Sequence, residues 1–461
     1  MNIDNVHLEE LQDLVQRFLK LARGKVLRLA RRWDVKKGAP VFTRRGKYTS
    51  RGWTEWTQGF QFGSQILLFD GLNDEKLWDL GCANTFRYMP YHVSHFGVHD
   101  HGFNIISTYG NIRRLIREGR ATNSSDFLSV CELALKLSGS VQASRWTQLS
   151  EHEGYIYSFN GPHSLFSDTI RTCRSLVLAH QLGHYLLAEN DQRISLLERA
   201  VIHASTTAKY NVYYGKGRDV YDVRGRVAHE SLFNVVNGQY RCPSTQQGYS
   251  PFTTWTRGLA WIILGFSEQL EALQVLPEEE LVPHGGLEEV KRWMLEAATA
   301  TADYYLGQTP TDGIPYWDTG APGLIHLGDW RRSEALPDNP FEPVDSSAAV
   351  IAAQGLMRLG RVLGVGTSGR KYFKAGLTLA KRLFSPPYLS TDETHEGLIL
   401  HSVYHRPRGW DYVPKGKSVP FGESSMWGDY HAIELAVYLQ RLLQKEVPYL
   451  AFYDSDGTVR T

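Results

Sequence analysis

The sequence predicts an all-α fold, a toroid of six helical hairpins, the (α/α)6 barrel. Three observations predict it. A polar or aromatic cluster leads into a long apolar stretch six times along the chain. Amphipathic segments with one charged face lie between those stretches. Apolar residues recur at spacings of three and four, and no βαβ rhythm interrupts them.

The six apolar stretches are TEWTQGFQFGSQILLF, VHDHGFNIISTYGNI, FSDTIRTCRSLVLAHQLG, TTWTRGLAWIILGFSEQL, VDSSAAVIAAQGLMRLG and SSMWGDYHAIELAVYLQRLL. They carry small residues such as Ala349, Ala352, Ala353 and Gly355, which suit tight packing inside a ring. Segments such as LEELQDLVQRFLKLA, SDFLSVCELALKLSG, QRISLLERAVIHASTTA, GLEEVKRWMLEAATATADYYLG and GRKYFKAGLTLAKRLF carry charge on one face, so they read as outer helices. Ser, Thr or Asp stands at several starts, as N-caps do. The repeat period is irregular, which separates the pattern from a solenoid of identical units. The chain reads as one catalytic toroid over residues 1–461, with segment 1–52 the part whose place in the ring the pattern fixes least.

The 461 residues carry a formal net charge of +1 and are 42% hydrophobic, enough for a large core. Near-neutrality argues against nucleic acid or a charged membrane surface as the main partner. No apolar run approaches the ~18 to 20 residues of a membrane span. The start, MNIDNVHLEE, shows no secretory signal, so a cytoplasmic location is expected. Cys82, Cys131, Cys173 and Cys242 are scattered and read as free thiols of a reduced compartment. The 12 Trp and 24 Tyr leave aromatic surface to spare for stacking on sugar faces.

In such a toroid the polar starts of the inner helices gather on one face. That brings together Trp56, Asp100, Asp168, Trp255, Arg257, Ser346 and Trp427. The loop from 209 to 254 is long and rich in Tyr, Gly, Arg and His, so it reads as a site wall. The stretch YHVSHFGVHDHGF crowds His92, His95, His99 and His101 around Asp100. His95 and His99 have the i, i+4 spacing of a zinc helix but lack the glutamate of HExxH. Phe96 and Val98 stand where HxHxDH needs histidines. No metal and no cofactor are therefore expected. Asp100, Asp168 and Asp345 could each be a plain N-cap. Two carboxylates, Asp100 and Asp168, on one aromatic-lined face instead suit acid/base chemistry on sugars, the charge of one keeping the other protonated. Gly102 would let a ligand approach the backbone.

Nine motifs in order carry a resemblance: WTQGF, HDHGF, SDTIRTCRSL, TQQGYS, TWTRGLAW, GIPYWDTGAP, DSSAAVIAAQGL, EGLILHSVYHRP and MWGDYHAIE. From about residue 53 onward the chain resembles the unsaturated glucuronyl hydrolases, glycoside hydrolase family 88, and more distantly the unsaturated rhamnogalacturonyl hydrolases. The resemblance implies the same six-hairpin toroid. It also implies hydration of the C4=C5 double bond of a terminal unsaturated uronic acid on a lyase-derived oligosaccharide, followed by ring opening. By the matching motifs, Asp168 resembles the general acid and base. Asp100 resembles the second essential carboxylate, and His99 the residue that orients carboxylate or sugar. His229 and Gln247 resemble groups around the double bond. Trp56, Trp255 and Trp261 resemble an aromatic wall, and Arg257 a substrate-binding arginine able to pair with the uronate carboxylate. The expected partner is such an oligosaccharide, and the expected assembly a monomer or homodimer. His101, Leu259 and the Arg171, Cys173, Arg174, Ser175 run depart from the family pattern. The alternatives are a glycosidase for saturated uronides on the same scaffold and a non-catalytic glycan-binding toroid.

Overall fold

A computed structural model describes residues 1–52, 55–121, 125–445 and 453. All six apolar stretches are helices of an inner ring: Gln58–Leu72, a rod over 101–117, Cys173–Gln181, Thr256–Ala272, Ser346–Val362 and Met426–Leu443. Side chains on all sides of these helices are buried, as expected where the next inner helix lies on each flank and an outer helix behind. Close approach explains the small residues: a Cβ on Gly355 would stand 2.8 Å from the backbone nitrogen of Leu264 on the neighbouring inner helix. The outer ring is Gln12–Arg32, Glu75–Tyr88, Ser125–Ser144, Leu196–Tyr210, Leu287–Gly307 and Arg370–Leu383. The fold is the (α/α)6 toroid that the helix pattern predicts.

The N-terminal segment supplies one of the outer helices. Val15, Phe18, Leu19 and Ala22 of Gln12–Arg32 are buried in the common core, and Phe18 stacks on Phe384 at 4.4 Å. The buried Lys25 Nζ donates to Ser390 Oγ at 2.9 Å and to the carbonyl of Gly397 at 2.7 Å. A hairpin of Phe42–Arg44 with Lys47–Thr49 follows, and Phe42 bridges Ser425 at the start of the last inner helix. No helix among the described residues is long and apolar enough to cross a membrane.

The β-structure is sparse, and one sheet of it carries residues to the site. Ser164–Phe166, Glu230–Phe233 and Tyr240–Ser244 form an antiparallel sheet over one end of the ring, with Phe166 opposite Glu230 and Glu230 opposite Ser244. The long loop 209–254 is thus partly strand, and it does build a wall.

Gly102 has a different reason from the expected one. A Cβ there would lie 2.1 Å from the carbonyl oxygen of Arg171, so the glycine lets two inner segments touch and serves packing. Its own carbonyl accepts from Arg174 Nη2 at 2.6 Å. Gly102→Ala is expected to destabilise the protein by about 1–3 kcal/mol or more, as overpacking does, read as a lower urea midpoint at unchanged slope. An unchanged midpoint would show that this contact relaxes freely.

Candidate active site

The sheet aligns the chemistry. Asp168 follows Phe166 by two residues, and Ser167 N–H donates to the carbonyl of His229 at 2.8 Å. The pairing sets the Asp168 and His229 side chains against each other, with His229 Nε2 3.8 Å from Asp168 Oδ1. The third strand then delivers Gln246 and Gln247 to the same wall. Asp100 stands at the start of the 101–117 rod but makes no capping hydrogen bond with its side chain. Asp345 does cap, accepting from the Ser347 N–H at 3.1 Å. The plain N-cap reading therefore fits Asp345 and not Asp100.

His99 joins the two carboxylates. Its Nε2 lies 3.1 Å from Asp168 Oδ2 and 3.7 Å from Asp100 Oδ1, and all three residues are buried. Burial, the largest influence on His99, favours the neutral ring. The charges of Asp100 and Asp168 and the hydrogen bond to Asp168 outweigh it, so its pKa is raised. For Asp168 burial is again the largest influence and pushes its pKa up. The hydrogen bond and charge of His99, with the charge of His229, reverse this and hold it below the usual carboxylate value. The sequence led to a different expectation, that Asp100 keeps Asp168 protonated. The imidazole lying within reach of both carboxylates is the physical reason for the difference.

His229 is the opposite case. Burial pushes its pKa down to about 4. Its Nδ1 accepts from the Gln246 N–H at 3.1 Å, so the ring is neutral with its proton on Nε2, facing Asp168. Neither His229 Nε2 nor Asp168 Oδ1 has a hydrogen-bond partner among the described residues. Two other histidines of the crowded stretch, His101 and His92, are buried and held by protein partners. His101 binds Ser138 Oγ and the carbonyl of His95, each at 2.9 Å, and burial lowers its pKa to about 4. His92 faces Asn104 at 3.5 Å.

His99, Asp100 and Asp168 open onto a cleft that encloses about 710 Å³ of space, open solvent included. Trp56, His99, Asp100, Asp168, Gln247, Trp255, Arg257 and Trp261 all line it. Trp56 is half-buried and stacks on Trp427 at 5.1 Å, which backs the wall from behind. Trp261 belongs to an inner helix and forms floor with Phe103, their ring centroids 4.8 Å apart. Beneath that floor Arg171 lies 5.3 Å from the Trp261 ring and binds Glu268 at 2.8 Å, while Arg174 binds the same carboxylate at 3.1 Å. The departures at Arg171 and Arg174 are thus matched by Glu268 on the next inner helix. Leu259 is simply buried core.

Arg257 lines the cavity, yet its terminal nitrogens are committed to the protein. Nη1 donates to Asp345 at 2.9 Å and to the Val403 carbonyl. Nη2 donates to Gln247 Oε1 at 2.9 Å and to the Tyr404 carbonyl at 2.8 Å. Direct bidentate pairing with a uronate would break this set, so Arg257 reads as the clamp that fixes Gln247 and the 403–404 backbone. Residues that sequence reasoning missed come from that same segment: Tyr404, His405, Arg408 and Trp410 line the cavity, with Phe159, Phe166 and Gln246. EGLILHSVYHRP held part of the signal, since a buried His and Tyr so close to an exposed Arg-Gly turn suit a rim. Among the described residues, one group of three side chains could hold a metal ion: His99, Asp100 and Asp168, with ligand atoms within 4.8 Å of one another.

Arg257→Lys replaces four donated bonds with a point charge. It is expected to lower kcat/KM by about tenfold to a hundredfold and to lower Tm, since buried partners are left unpaired. Unchanged kinetics and Tm would show that the clamp is idle.

No family model matches the chain. Its sequence is 23% identical over 403 residues to the unsaturated glucuronyl hydrolase of Bacillus sp. strain GL1, covering 86% of this chain and 89% of that protein. It is 24% identical over 397 residues to the unsaturated chondroitin disaccharide hydrolase of Streptococcus pyogenes serotype M1, covering 85% and 83%. The crystal structure of the Bacillus sp. GL1 enzyme, described as responsible for the degradation of glycosaminoglycan, superposes with a TM-score of 0.70 over 96% of this chain and all of that one, at 23% identity. The chain is thus similar to unsaturated glucuronyl hydrolases along most of its sequence and shares the fold of the solved Bacillus enzyme.

Proposed function

We propose that the chain is a glycoside hydrolase that hydrates the C4=C5 double bond of a terminal unsaturated uronic acid, releasing the sugar attached to it. The single observation that carries the reading is the buried pair His229 Nε2 and Asp168 Oδ1. The two atoms lie 3.8 Å apart without hydrogen-bond partners among the described residues, beside a His99–Asp168 hydrogen bond whose two side chains line an aromatic cavity. A carboxylate that can give and take a proton and a neutral N–H converge on one small volume.

Asp168 gives its proton to C4, and positive charge develops between C5 and the ring oxygen. Water adds to C5, and its proton passes to the Asp168 carboxylate. The hemiketal at C5 then opens and the attached sugar leaves. The proton balance closes on one residue. The raised pKa of His99 and the lowered pKa of Asp168 favour the proton on the imidazole before substrate binds. A bound uronide displaces water, and low polarity disfavours separated charges. The proton then shifts across the 3.1 Å bond to Asp168, where the reaction uses it. Asp100 orients His99 and holds sugar hydroxyls. Trp56, Trp255 and Trp261 wall the ring, while Gln247, fixed by Arg257, and His229 face the double bond. The whole chain acts as one catalytic unit, the N-terminal helix included, without metal or cofactor.

The test is turnover of lyase-generated unsaturated disaccharides, read as loss of ultraviolet absorbance. Asp168→Asn is expected to lose about 10²- to 10⁴-fold in kcat with little change in KM. Asp100→Asn is expected to be severely impaired with a shifted pH optimum. Activity of the wild type is expected to fall as pH rises through the raised pKa of His99, because the shared proton is then lost. Prolonged EDTA treatment is expected to leave turnover within about twofold, whereas loss restored by zinc would make His99, Asp100 and Asp168 metal ligands. Consumption of saturated glucuronides with no effect on the double bond would replace hydration by ordinary hydrolysis. Unchanged kinetics in both asparagine variants would remove the site.

A further inference from the structure

The cavity holds the reacting sugar, so the remainder of an oligosaccharide lies beyond its rim. One stretch of rim leaves the cavity and comes back. Gln246 and Gln247 line it, the chain departs, and Trp255 lines it again. On this excursion Tyr249 is 51% exposed and Phe252 41%. A second segment brings Tyr221, 46% exposed, onto Phe252, with ring centroids 4.3 Å apart and planes at 23°.

These rings are held firmly despite their exposure. Tyr249 N–H donates to Asp318 Oδ2 at 2.9 Å, and Asp318 also bridges Trp255 through the backbone. Arg226 Nη1 donates to the Pro251 carbonyl at 3.3 Å, fastening the tip to the segment that carries Tyr221. On that segment the Asp222 carboxylate accepts from the N–H groups of Gly215, Lys216 and Arg218 at 2.8, 3.0 and 2.8 Å. Three large rings thus stand in water on braced backbone. Side-chain order paid for in advance with apolar exposure suits a ligand that stacks.

Chain geometry keeps them near the cavity. Tyr249 is two residues from Gln247 and Phe252 three from Trp255, so their Cα atoms lie within roughly 7 and 11 Å of lining residues. That is the reach of the next few sugar units. Close to the aromatic lining of the cavity there is thus a stacked pair, Tyr221 on Phe252, with Tyr249 on the same excursion of the chain.

We propose that Tyr221, Phe252 and Tyr249 form a distal saccharide platform. It stacks sugar units beyond the one attached to the uronide and makes the protein favour longer oligosaccharides over disaccharides. The proposal rests on the hydratase reading for the identity of the first sugar.

The experiment compares kcat/KM for an unsaturated disaccharide and the tetrasaccharide of the same repeat. The tetrasaccharide is expected to be favoured about three- to tenfold, through KM. Phe252→Ala and Tyr221→Ala should each reduce that advantage while disaccharide kcat/KM stays within about twofold, and Phe252→Tyr should restore it. Equal constants for both lengths in the wild type would overturn the platform. So would variants that slow both substrates alike, or a change in oligomeric mass in the alanine variants, which would make the plate a protein contact. If neither substrate is hydrated, the functional reading has failed. The platform is then judged by calorimetry with the saturated tetrasaccharide and disaccharide, where length-independent binding would overturn it and a length advantage lost in Phe252→Ala would support it.

Discussion

Much of the site depends on one contact, His99 Nε2 at 3.1 Å from Asp168 Oδ2 and 3.7 Å from Asp100 Oδ1. Two buried carboxylates so near each other would repel, and one would be neutral. A histidine within reach of both offsets that repulsion: the His99 pKa is raised and that of Asp168 is held low. That arrangement requires the 101–117 rod and the Asp168 segment to touch closely, which Gly102 permits. It also requires a dry surround, which the rings of Phe159 and Phe166 provide at 5.9 and 5.6 Å from the imidazole.

Beneath the cavity the support is ionic. Arg171 and Arg174 share the buried carboxylate of Glu268, and Arg171 also meets the His431 ring at 3.3 Å. Removing one member of such a set typically costs about 3–5 kcal/mol, because its partners keep their buried charge. The Arg171 guanidinium lies 5.6 Å from the Phe103 ring and 5.3 Å from Trp261, so the ionic layer and the aromatic floor position each other. Above the floor Arg257 plays a related part, clamping Gln247 and the 403–404 backbone.

Helical periodicity made the ring legible. The six polar starts and their charged partners map onto inner and outer helices because burial on every side and burial on one side leave different residue patterns. The convergence of helix starts on one face was legible for the same reason, and it brought Asp100, Asp168, Trp255 and Arg257 together. What pattern alone could not give was strand pairing across long separations. Phe166 meets Glu230 through short strands with no alternation to read, so the juxtaposition of Asp168 and His229 came through family resemblance. The rim built by Tyr404, His405, Arg408 and Trp410 was missed because its loop has no period at all. The protonation of Asp168 was misjudged because the sequence does not show that His99 reaches both carboxylates.

The central claim is that a proton reaches C4 from Asp168 while water adds to C5. Mass spectrometry of products formed in heavy, oxygen-18-labelled water tests it most directly. The account predicts deuterium at C4 and labelled oxygen at C5 of the opened uronide, with none at its anomeric carbon. Labelled oxygen at the anomeric carbon with C4 unlabelled would contradict it.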